Sequence, residues 1–548
     1  MTKYIWEKSY PENIKWNAKI KGEPLYRLLD DSAAKFPDNE MVDFMGKIYS
    51  YSQILDMVDR AAEGFKNLGV KKGVNVGIFL PNCPQFIISY FAILKAGGTV
   101  VNFSPLYSKS ELENQIKDSG VKMMVTLSLK ELYSKLSELL GKGDFNKIIV
   151  GSLTDALPCF KAFLFSTLKR GQIASFPKDE NHIEFSELLK SEKIESLPKI
   201  NPDKDVAVLQ YTGGTTGIPK GAVLTHSNIY INAKQCGLWF TGLEEGEETM
   251  LGVLPFFHVF AMTVVMNFSI LNAAKIILHP RFEIKKVLKD IEKKKPTLMP
   301  GVPTMFTAIN NFKGVEKYDL SSLKACFSGG AGLPSQVKKK FEKLSGCKLV
   351  EGYGLTESSP VTNGNPIFGE NREGSIGLPF PDTIIEIRDI ETGKKVKTGE
   401  VGELCVKGPQ VMKEYWKNKN ETKNVLKGGF LHTGDVAKMD EQGYVYIVDR
   451  IKELILAGGF NIYPRHVEEA IYKHDSVSEV AVIGVDDQYR GQTVKAVIAL
   501  KEGEDLKESE LKTFLKDHIG KHEMPTIFEF RDELPKTMIG KISKKDLS

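Results

Sequence analysis

The chain has 548 residues, of which 42% are hydrophobic and 26% charged, as is ordinary for a globular protein long enough for several domains. The formal net charge is only +4 and there is no basic stripe with interleaved aromatic residues, so a nucleic-acid partner is not expected. The six cysteines form no Cys-x-x-Cys pair and the first residues lack an apolar signal core, which predicts a cytoplasmic protein with reduced thiols.

Strand-like and helix-like runs alternate through the first three quarters of the chain. Residues 74–80 predict a strand and residues 84–96 a helix, and the short runs 99–102, 121–126 and 147–150 predict further strands. Such β-then-α alternation is typical of parallel, doubly wound sheets. The predicted fold class is therefore α/β.

Residues 156–170 are an unusual segment of aromatic residues and leucines beside Lys161, Lys169 and Arg170. Such a segment is able to lie on a membrane surface as an amphipathic helix. A helix packed on its own domain explains the same composition equally well, so both interpretations stay open.

The segment 211–221, Tyr-Thr-Gly-Gly-Thr-Thr-Gly-Ile-Pro-Lys-Gly, contains glycines, threonines and a lysine between two β-type runs at 206–209 and 222–224. Glycines let backbone N–H groups turn toward one point, while threonine hydroxyls and Lys220 add donors and positive charge. This composition predicts a loop that holds phosphate oxygens. The spacing does not fit the G-x-x-x-x-G-K-[ST] pattern, because Lys220 is followed by Gly221.

Residues 249–274 contain no Asp, Glu, Lys or Arg, a length that is sufficient to span a bilayer. Pro255 interrupts any helix through this stretch. The sequence therefore predicts a strand that ends near Pro255 and a buried helix after it, rather than a membrane span.

The pattern changes after about residue 374. Short strands with glycine turns up to residue 448 predict a β-barrel-like or small antiparallel subdomain. Residues 1–448 are expected to form a large N-terminal domain, and residues 449–548 a small, mobile α+β C-terminal domain. In the latter, residues 453–456 begin a compact pattern, in which helices are predicted at 464–473 and 507–518 and strands at 477–485 and 493–500.

Four short motifs carry chemistry at wide spacing. Residues 351–358, Glu-Gly-Tyr-Gly-Leu-Thr-Glu-Ser, offer an aromatic ring for a purine and a carboxylate for Mg²⁺. His-Thr-Gly-Asp at 432–435 offers a carboxylate for ribose hydroxyls, while 449–452 is Asp-Arg-Ile-Lys and 535–541 ends in a Gly-Lys turn. Each motif alone is also an ordinary turn or a solvated surface.

Together, and in this order along nearly the whole chain, the motifs closely resemble those of the adenylate-forming superfamily of acyl-CoA synthetases, luciferases and peptide-synthetase adenylation domains. Leu-Pro-Phe-Phe-His at 254–258 and Gly-Glu-Leu at 402–404 belong to the same resemblance. Within the superfamily, residues 6–11, 101–107 and 530–536 are similar to those of bacterial long-chain fatty-acid–CoA ligases.

The resemblance implies that a carboxylate attacks the α-phosphorus of ATP in the presence of Mg²⁺, and that CoA then displaces AMP from the acyl-adenylate. It implies catalytic roles for Lys541, Glu357, Thr356 and Lys220, with Glu357 and Thr212 at the metal. Tyr353 is expected to pack on adenine, Asp435 with Arg450 to bind ribose, and Lys541 to stabilise the developing negative charge. The nucleotide-binding residues so implied are Thr212, Gly213, Gly214, Thr215, Thr216, Gly217, Lys220, Gly352, Tyr353, Gly354, Thr356, Asp435, Arg450, Lys452 and Lys541.

The second step and the acyl site follow from the same resemblance. Lys452 aligns with a hinge about which the small domain swings, and Gly459 would approach the CoA pantetheine. His258, which is otherwise explained as a core histidine, borders the expected acyl site, and Gly330 and Gly332 would line an acyl tunnel. The sequence departs from some relatives at Leu456, where they have a lysine that assists thioester formation.

The leading hypothesis is thus a long-chain fatty-acid–CoA ligase with fatty acid, ATP and CoA as substrates. Three alternatives stay open: a ligase for medium-chain or aryl acids, a ligase that passes its adenylate to a carrier protein, and a binding protein that retains the fold without turnover. The resemblance also implies a homodimer and a peripheral contact with the inner face of the membrane.

Overall fold

The computed structural model describes residues 4–212, 219–457, 460–487, 490–537 and 540–547. Two large, mainly parallel sheets make up most of the chain, and a small antiparallel sheet and a separate C-terminal sheet follow them. The predicted α/β class with a large N-terminal and a small C-terminal domain is confirmed.

The first large sheet has eight strands. Parallel pairing joins its central strands, and two antiparallel strands close the edge that carries the hairpin of the predicted phosphate loop. In spatial order the strands are Glu414–Tyr415, Lys220–Thr225, Val206–Thr212, Thr99–Asn102, Asn75–Ile78, Met123–Leu127, Lys147–Gly151 and His182–Glu184.

The second large sheet has nine strands, and one of them, Lys348–Gly354, leads into the predicted motif at 351–358. In spatial order they are Leu378–Pro379, Val361–Gly364, Lys348–Gly354, Ala325–Ser328, Leu298–Gly301, Thr249–Gly252, Lys275–Leu278, Glu40–Phe44 and Lys47–Ser50. The three strands at one end and the pair at the other are antiparallel, while the strands between them are parallel.

Helices cover these sheets, and one of them is buried along its whole length. Every residue of Pro84–Lys95 is buried, as expected for a helix with apolar residues on all sides, and Pro84 occupies the first turn, where no N–H is needed. The α-helices are Arg27–Lys35, Tyr51–Asn67, Pro84–Lys95, Lys109–Ser119, Lys130–Ser137, Cys159–Leu168, Phe185–Leu188, His226–Trp239, Phe268–Leu271, Ile284–Lys294, Pro303–Asn311, Ser335–Ser345, Lys419–Val425, Pro464–Tyr472 and Glu508–Leu515. Short 3-10 helices are Ile5–Ser9, Leu153–Ala156, Arg170–Gln172, Val315–Lys317, Thr356–Ser358, Ile451–Glu453 and Lys544–Leu547.

The charge-free stretch forms a strand and a buried helix. Strand Thr249–Gly252 precedes Pro255, and a π-helix at Ala261–Asn267 continues into the α-helix Phe268–Leu271. Among the described residues there is no helix with the length and apolar character that crossing a bilayer requires.

The small antiparallel sheet corrects one expectation. Its strands are Ile384–Arg388, Gly402–Lys407, Phe430–Met439, Leu426–Lys427 and Val445–Arg450. The expected barrel does not close, because Leu426–Lys427 and Val445–Arg450 both pair with Phe430–Met439 and Ile384–Arg388 remains at the far edge. The alternative of a small antiparallel subdomain is the one that the structure shows.

The C-terminal domain has its own sheet and its own hydrophobic cores. Its strands are Ile455–Ala457, Phe460–Ile462, Val477–Asp487, Gly491–Leu500 and Ile527–Arg531. Two core clusters lie between residues 455 and 547, whereas the main core draws on residues 6 to 445. The two parts of the chain are thus stabilised by separate apolar packing.

Candidate active site

The strand Lys348–Gly354 leads directly into the 3-10 turn Thr356–Ser358, and this junction carries the predicted residues of the motif 351–358. A Cβ atom at Gly354 would lie 2.1 Å from the carbonyl oxygen of Pro360, so only glycine fits there. At Gly352 the nearest atom to such a Cβ is 3.5 Å away, an ordinary contact. Packing therefore requires glycine at position 354 but not at position 352.

Asp435 is the hub of the predicted nucleotide residues. Its carboxylate accepts a hydrogen bond from the Tyr353 hydroxyl. It also forms an ion pair with Arg450, whose Nε lies 3.0 Å from Asp435 Oδ1. Asp435 and Arg450 are direct partners across two antiparallel strands, which explains why motifs at 432–435 and 449–452 meet. Burial and the neighbouring carboxylate raise the pKa of Tyr353, so its hydroxyl stays protonated and donates.

Thr212 and Lys220 close the phosphate-loop hairpin. They are register partners at the ends of two antiparallel strands, so the loop between them begins and ends at one place. Of this loop, Gly213, Gly214, Thr215, Thr216 and Gly217 lie outside the described residues. The Lys220 ammonium forms an ion pair with Glu421, which lowers the pKa of that carboxyl group.

Glu357 lies in the first turn of the 3-10 helix, next to Thr356, and this helix packs against both hairpin strands. The Tyr415 hydroxyl donates to Glu357 Oε1 at 2.5 Å, and the ring of Tyr415 lies 5.5 Å from Lys220 Nζ. Carboxylate and hydroxyl oxygens at Glu357 and Thr212 suit Mg²⁺, which usually takes one or two protein oxygens and keeps waters and phosphates for the rest. The donor set at this place therefore fits the ion.

Lys541 reaches the large domain from the C-terminal domain. The Thr304 hydroxyl donates to the Gly540 carbonyl at 2.5 Å and so attaches the turn that carries Lys541. A Cβ atom at Gly330 would lie 2.6 Å from Lys541 Cε, and Gly330 has a φ of +87°. Glycine is needed at 330 both for its left-handed backbone and for the passage of the lysine.

The Lys541 side chain ends in a small, mainly apolar pocket that His258, Pro255, Ala261 and Gly330 also line. Burial and the nearby Arg450 charge lower the pKa of Lys541 to about 8. Burial and Lys541 in turn lower the pKa of His258 to about 3, so His258 is neutral. Its Nδ1 accepts from the backbone N–H of Phe260 at 3.3 Å, at the start of the buried helix.

A second contact joins the domains at Gly332, where a Cβ would lie 2.7 Å from the Arg465 guanidinium. Arg465 Nη2 lies 3.7 Å from Glu351 Oε1, and burial raises the pKa of Glu351 to about 7. The side of Gly332 that a tunnel was expected to occupy is thus filled by Arg465 in this arrangement. Lys452 is exposed and close enough to Glu421 to lower its pKa, and Gly459 lies outside the described residues.

Sequence reasoning named no role for Tyr415, Glu421 or Arg465. Glu421 follows Asn418 as in a helix-capping pattern, and the Asn418 side chain accepts from its backbone N–H at 3.1 Å. That pattern predicts the helix start but gives no signal that the carboxylate meets Lys220. Only the tertiary pairing brings these residues together.

Glu403, Cys405 and His432 form another cluster of potential ligand atoms. Glu403 Oε2 lies 2.7 Å from His432 Nδ1, and Glu403 Oε1 accepts from the Gly434 N–H at 3.1 Å. Burial raises the pKa of the Cys405 thiol to about 12. The cluster positions the turn before Asp435 by hydrogen bonds.

Comparisons with known proteins show which family the chain belongs to. Residues 29–416 match the AMP-binding enzyme family, and residues 466–541 match the AMP-binding enzyme C-terminal domain. The chain belongs to the AMP-binding enzyme family. The predicted resemblance to the adenylate-forming superfamily is thereby confirmed.

Curated members of the AMP-binding enzyme family resemble this chain over its full length. A long-chain-fatty-acid–CoA ligase of Bacillus subtilis (strain 168) is 46% identical, covering 99% of this chain and 97% of its own. The ligase of the same name from Escherichia coli O157:H7 is 36% identical, covering 100% and 98%.

Among solved structures of similar fold, the crystal structure of ATP-bound MatB from Rhodopseudomonas palustris gives a TM-score of 0.84 at 26% identity, covering 96% of this chain and 98% of its own. Apo MatB from the same organism, with the same identity and coverage, gives a TM-score of 0.76.

Proposed function

We propose that this protein is an AMP-forming long-chain fatty-acid–CoA ligase. It activates a fatty acid with ATP, releases pyrophosphate, and transfers the acyl group from the adenylate to CoA. The observation that carries the proposal is the entry of Lys541 into an apolar pocket of the large domain, on the same side as the Tyr353–Asp435–Arg450 cluster. The substrate class rests on the full-length similarity to long-chain ligases.

In the first step, a carboxylate oxygen of the fatty acid bonds to the α-phosphorus, and the bond from that phosphorus to the pyrophosphate oxygen breaks. Both reactants are anions, so positioning and charge neutralisation supply most of the catalysis. Lys541 is the group whose ammonium meets the developing charge. Asp435, with Arg450, holds the ribose hydroxyls, and the ring of Tyr353 supports the adenine.

The phosphate side of the reaction belongs to the hairpin. Lys220 and the loop 212–217 hold the β- and γ-phosphates, and Thr356 contacts the α-phosphate. Glu357 and Thr212 are the residues that would hold Mg²⁺, whose charge neutralises the phosphate oxygens when it is bound. Lys220 exchanges Glu421 for phosphate when ATP enters.

The second step requires Lys541 to leave, so that the CoA thiolate can attack the acyl carbonyl and release AMP. We propose that the domains divide between residues 448 and 449 and that the C-terminal domain turns about Lys452, presenting Gly459 to the pantetheine. The separate hydrophobic cores support this division. The approach of Lys541 to Gly330 and the apolar pocket of the large domain supports the present arrangement as the adenylate-forming one.

The acyl chain is expected beyond His258, along the buried helix that follows it. His258 is neutral and borders the pocket with Gly330, while the walls there are apolar. Each buried CH₂ contributes about 0.8 kcal/mol, so such a slot favours long acids. The Arg465 guanidinium fills the space beside Gly332, so Arg465 must move away before an acyl chain or CoA occupies that space.

Mass spectrometry tests this function. Purified protein is incubated with ATP, Mg²⁺, CoA and an equimolar series of acids from acetate to oleate, with aryl acids included. Long-chain acyl-CoA is the expected product. Preference for medium-chain or aryl acids would replace the substrate class, adenylate without thioester would indicate a carrier-dependent ligase, and no product would leave only a binding protein.

Two assembly proposals rest on the resemblance. The protein is a homodimer, for which light scattering should give about twice the 61.1 kDa of one chain. It works in the cytoplasm at the inner face of the membrane, where its acyl-CoA product enters lipid metabolism.

A further inference from the structure

The helix Cys159–Leu168 carries the three most exposed large hydrophobic side chains among the residues that the structure describes. None of its residues is buried. Leu168, Phe160 and Phe163 are 76%, 72% and 66% exposed, and no other large hydrophobic side chain in the described part of the chain is exposed to this extent. Single exposed apolar residues are common, but three on one short helix indicate an interaction surface.

The helix is attached firmly, so this face has a defined direction. Ala162 and Phe165 pack against the main core, and Lys161 Nζ donates to the Met45 carbonyl at 2.7 Å. On the opposite side, Phe160, Phe163 and Thr167 follow helical spacing. The packed side agrees with the interpretation of a helix that packs on its own domain, while the exposed side leaves the membrane interpretation as a prediction.

The hydroxyl groups of this helix are satisfied within it. Thr167 Oγ1 donates to the Phe163 carbonyl at 3.0 Å, and Ser166 Oγ donates to the Ala162 carbonyl at 2.9 Å. A polar group that is already hydrogen-bonded costs much less to remove from water than an unpaired one. The outward face can therefore leave water without stranding a polar group.

The charges beside the face have one sign. Residues 156–178 contain Lys161, Lys169, Arg170 and Lys178 and no Asp or Glu. Lys169 and Arg170 follow the helix directly and are exposed, and neither has an ion-pair partner among the residues that the structure describes. An apolar face flanked by such cations is complementary to the acyl and headgroup layers of an anionic membrane.

We propose that the helix Cys159–Leu168 docks this protein on the surface of an anionic lipid bilayer, with Phe160, Phe163 and Leu168 in the acyl–headgroup boundary. Lys169 and Arg170 contact the phosphates of the headgroups. The helix has 10 residues, so it lies in the plane of the interface and does not cross the membrane. The proposal deepens the proposed function, because the fatty-acid substrate is itself held in bilayers.

Vesicle flotation tests the surface. The protein is mixed with vesicles of phosphatidylcholine alone, or of phosphatidylcholine with phosphatidylglycerol. Wild type should float with the anionic vesicles, and the variant Phe160→Ser/Phe163→Ser/Leu168→Ser should lose partitioning about tenfold or more, since each large side chain contributes well over one RT on burial. The matched control Leu197→Ser/Ile390→Ser/Val401→Ser removes three exposed apolar side chains elsewhere and should float as wild type does.

A second variant, Lys169→Glu/Arg170→Glu, leaves the apolar face intact and should abolish the preference for anionic vesicles. Equal flotation of wild type and the triple-serine variant would overturn the proposal, as would failure of wild type to float. A dimer-to-monomer change of the triple-serine variant in the absence of vesicles would also overturn it, because the face would then be covered by a second copy. Turnover of a freely dissolved medium-chain acid should be equal in wild type and variants; flotation without turnover of any acid would retain the surface and reject the ligase.

Discussion

The two lysines proposed to meet ATP are held in opposite ways. Lys220 belongs to a strand of the large domain, and its charge is already balanced by Glu421. Lys541 arrives on a turn of the other domain, and no described residue accepts a hydrogen bond or forms an ion pair with its Nζ. Burial and the charge of Arg450 lower its pKa to about 8.

This difference separates binding from catalysis. In the proposed mechanism Lys220 exchanges the Glu421 carboxylate for phosphate, so its main contribution is expected in the affinity for ATP. The Lys541 ammonium lies in an apolar pocket and has no ion-pair partner among the described residues, while the more distant charge of Asp435 favours its protonated form. A charge that gains a close partner only in the transition state accelerates the reaction itself. Because Lys541 is on the C-terminal domain, its contribution is confined to the arrangement in which that domain covers the site.

Lys541→Ala is the largest expected effect. Adenylation should slow by about 10²–10³, as for other single charge-stabilising groups. Thioester formation from preformed acyl-adenylate should be nearly unchanged, measured by single-turnover quench-flow with each half-reaction isolated. Lys516→Ala, an exposed lysine of the same domain, is the control. Equal loss in both half-reactions would contradict a role of Lys541 that is specific to adenylation.

Gly330→Ala tests whether the path of Lys541 matters. The new methyl group would lie 2.6 Å from Lys541 Cε, and displacement of a catalytic group by about 1 Å is able to cost about 10²-fold. Adenylation should therefore fall while ATP binding, measured by calorimetry, changes little. Gly314→Ala is the matched control, because Gly314 has a φ of +84° and no atom closer than 3.8 Å to the added Cβ. If adenylation slowed equally in Gly314→Ala, the effect at Gly330 would be explained by backbone strain and not by displacement of Lys541.

Tyr415→Phe tests whether the hydrogen bond to Glu357 supports Mg²⁺ binding. The variant loses the hydrogen bond to Glu357 Oε1, and a hydrogen bond to a charged group contributes about 1.5–3 kcal/mol. We expect the Mg²⁺ concentration for half-maximal pyrophosphate release to rise about tenfold, with the saturated rate little changed. An unchanged Mg²⁺ requirement would show that Glu357 does not depend on Tyr415.

Glu421→Gln is the smallest expected effect. It frees Lys220 from an ion pair that is partly exposed, and such pairs contribute at most about 1 kcal/mol. The KM for ATP should fall by a few-fold with kcat retained, in steady-state assays of pyrophosphate release. A rise in that KM would mean that Glu421 orients Lys220 for phosphate rather than competing with phosphate.

The sequence was informative wherever a local pattern decides the structure. The buried helix at 84–95 and the hairpin on either side of 213–218 follow from apolar runs, proline and glycine. Of the two alternatives for residues 374–448, the structure shows the antiparallel subdomain and no closed barrel. Strand composition could not decide between them because it does not specify which strands share a partner, and Phe430–Met439 pairs with two strands on one side.

At the site, the motif residues Tyr353, Asp435 and Arg450 meet as their resemblance to the superfamily implied. Their partners were not predictable, because Lys220 and Glu421 are 201 positions apart and lie in ordinary local patterns. The contact of Gly332 with Arg465 likewise depends on how two domains are placed, which neither domain's own sequence periodicity encodes.

The pH dependence of the two half-reactions is the decisive test of the role of Lys541 in adenylation. Lys541 must be protonated to act, and its pKa is lowered to about 8, so kcat/KM for adenylation should decline as the pH rises through about 8. In Lys541→Arg, where the charge persists, this decline should disappear. Thioester formation from preformed acyl-adenylate should show no such decline in wild type. A decline shared by both half-reactions, or one that persists in the arginine variant, would contradict the account.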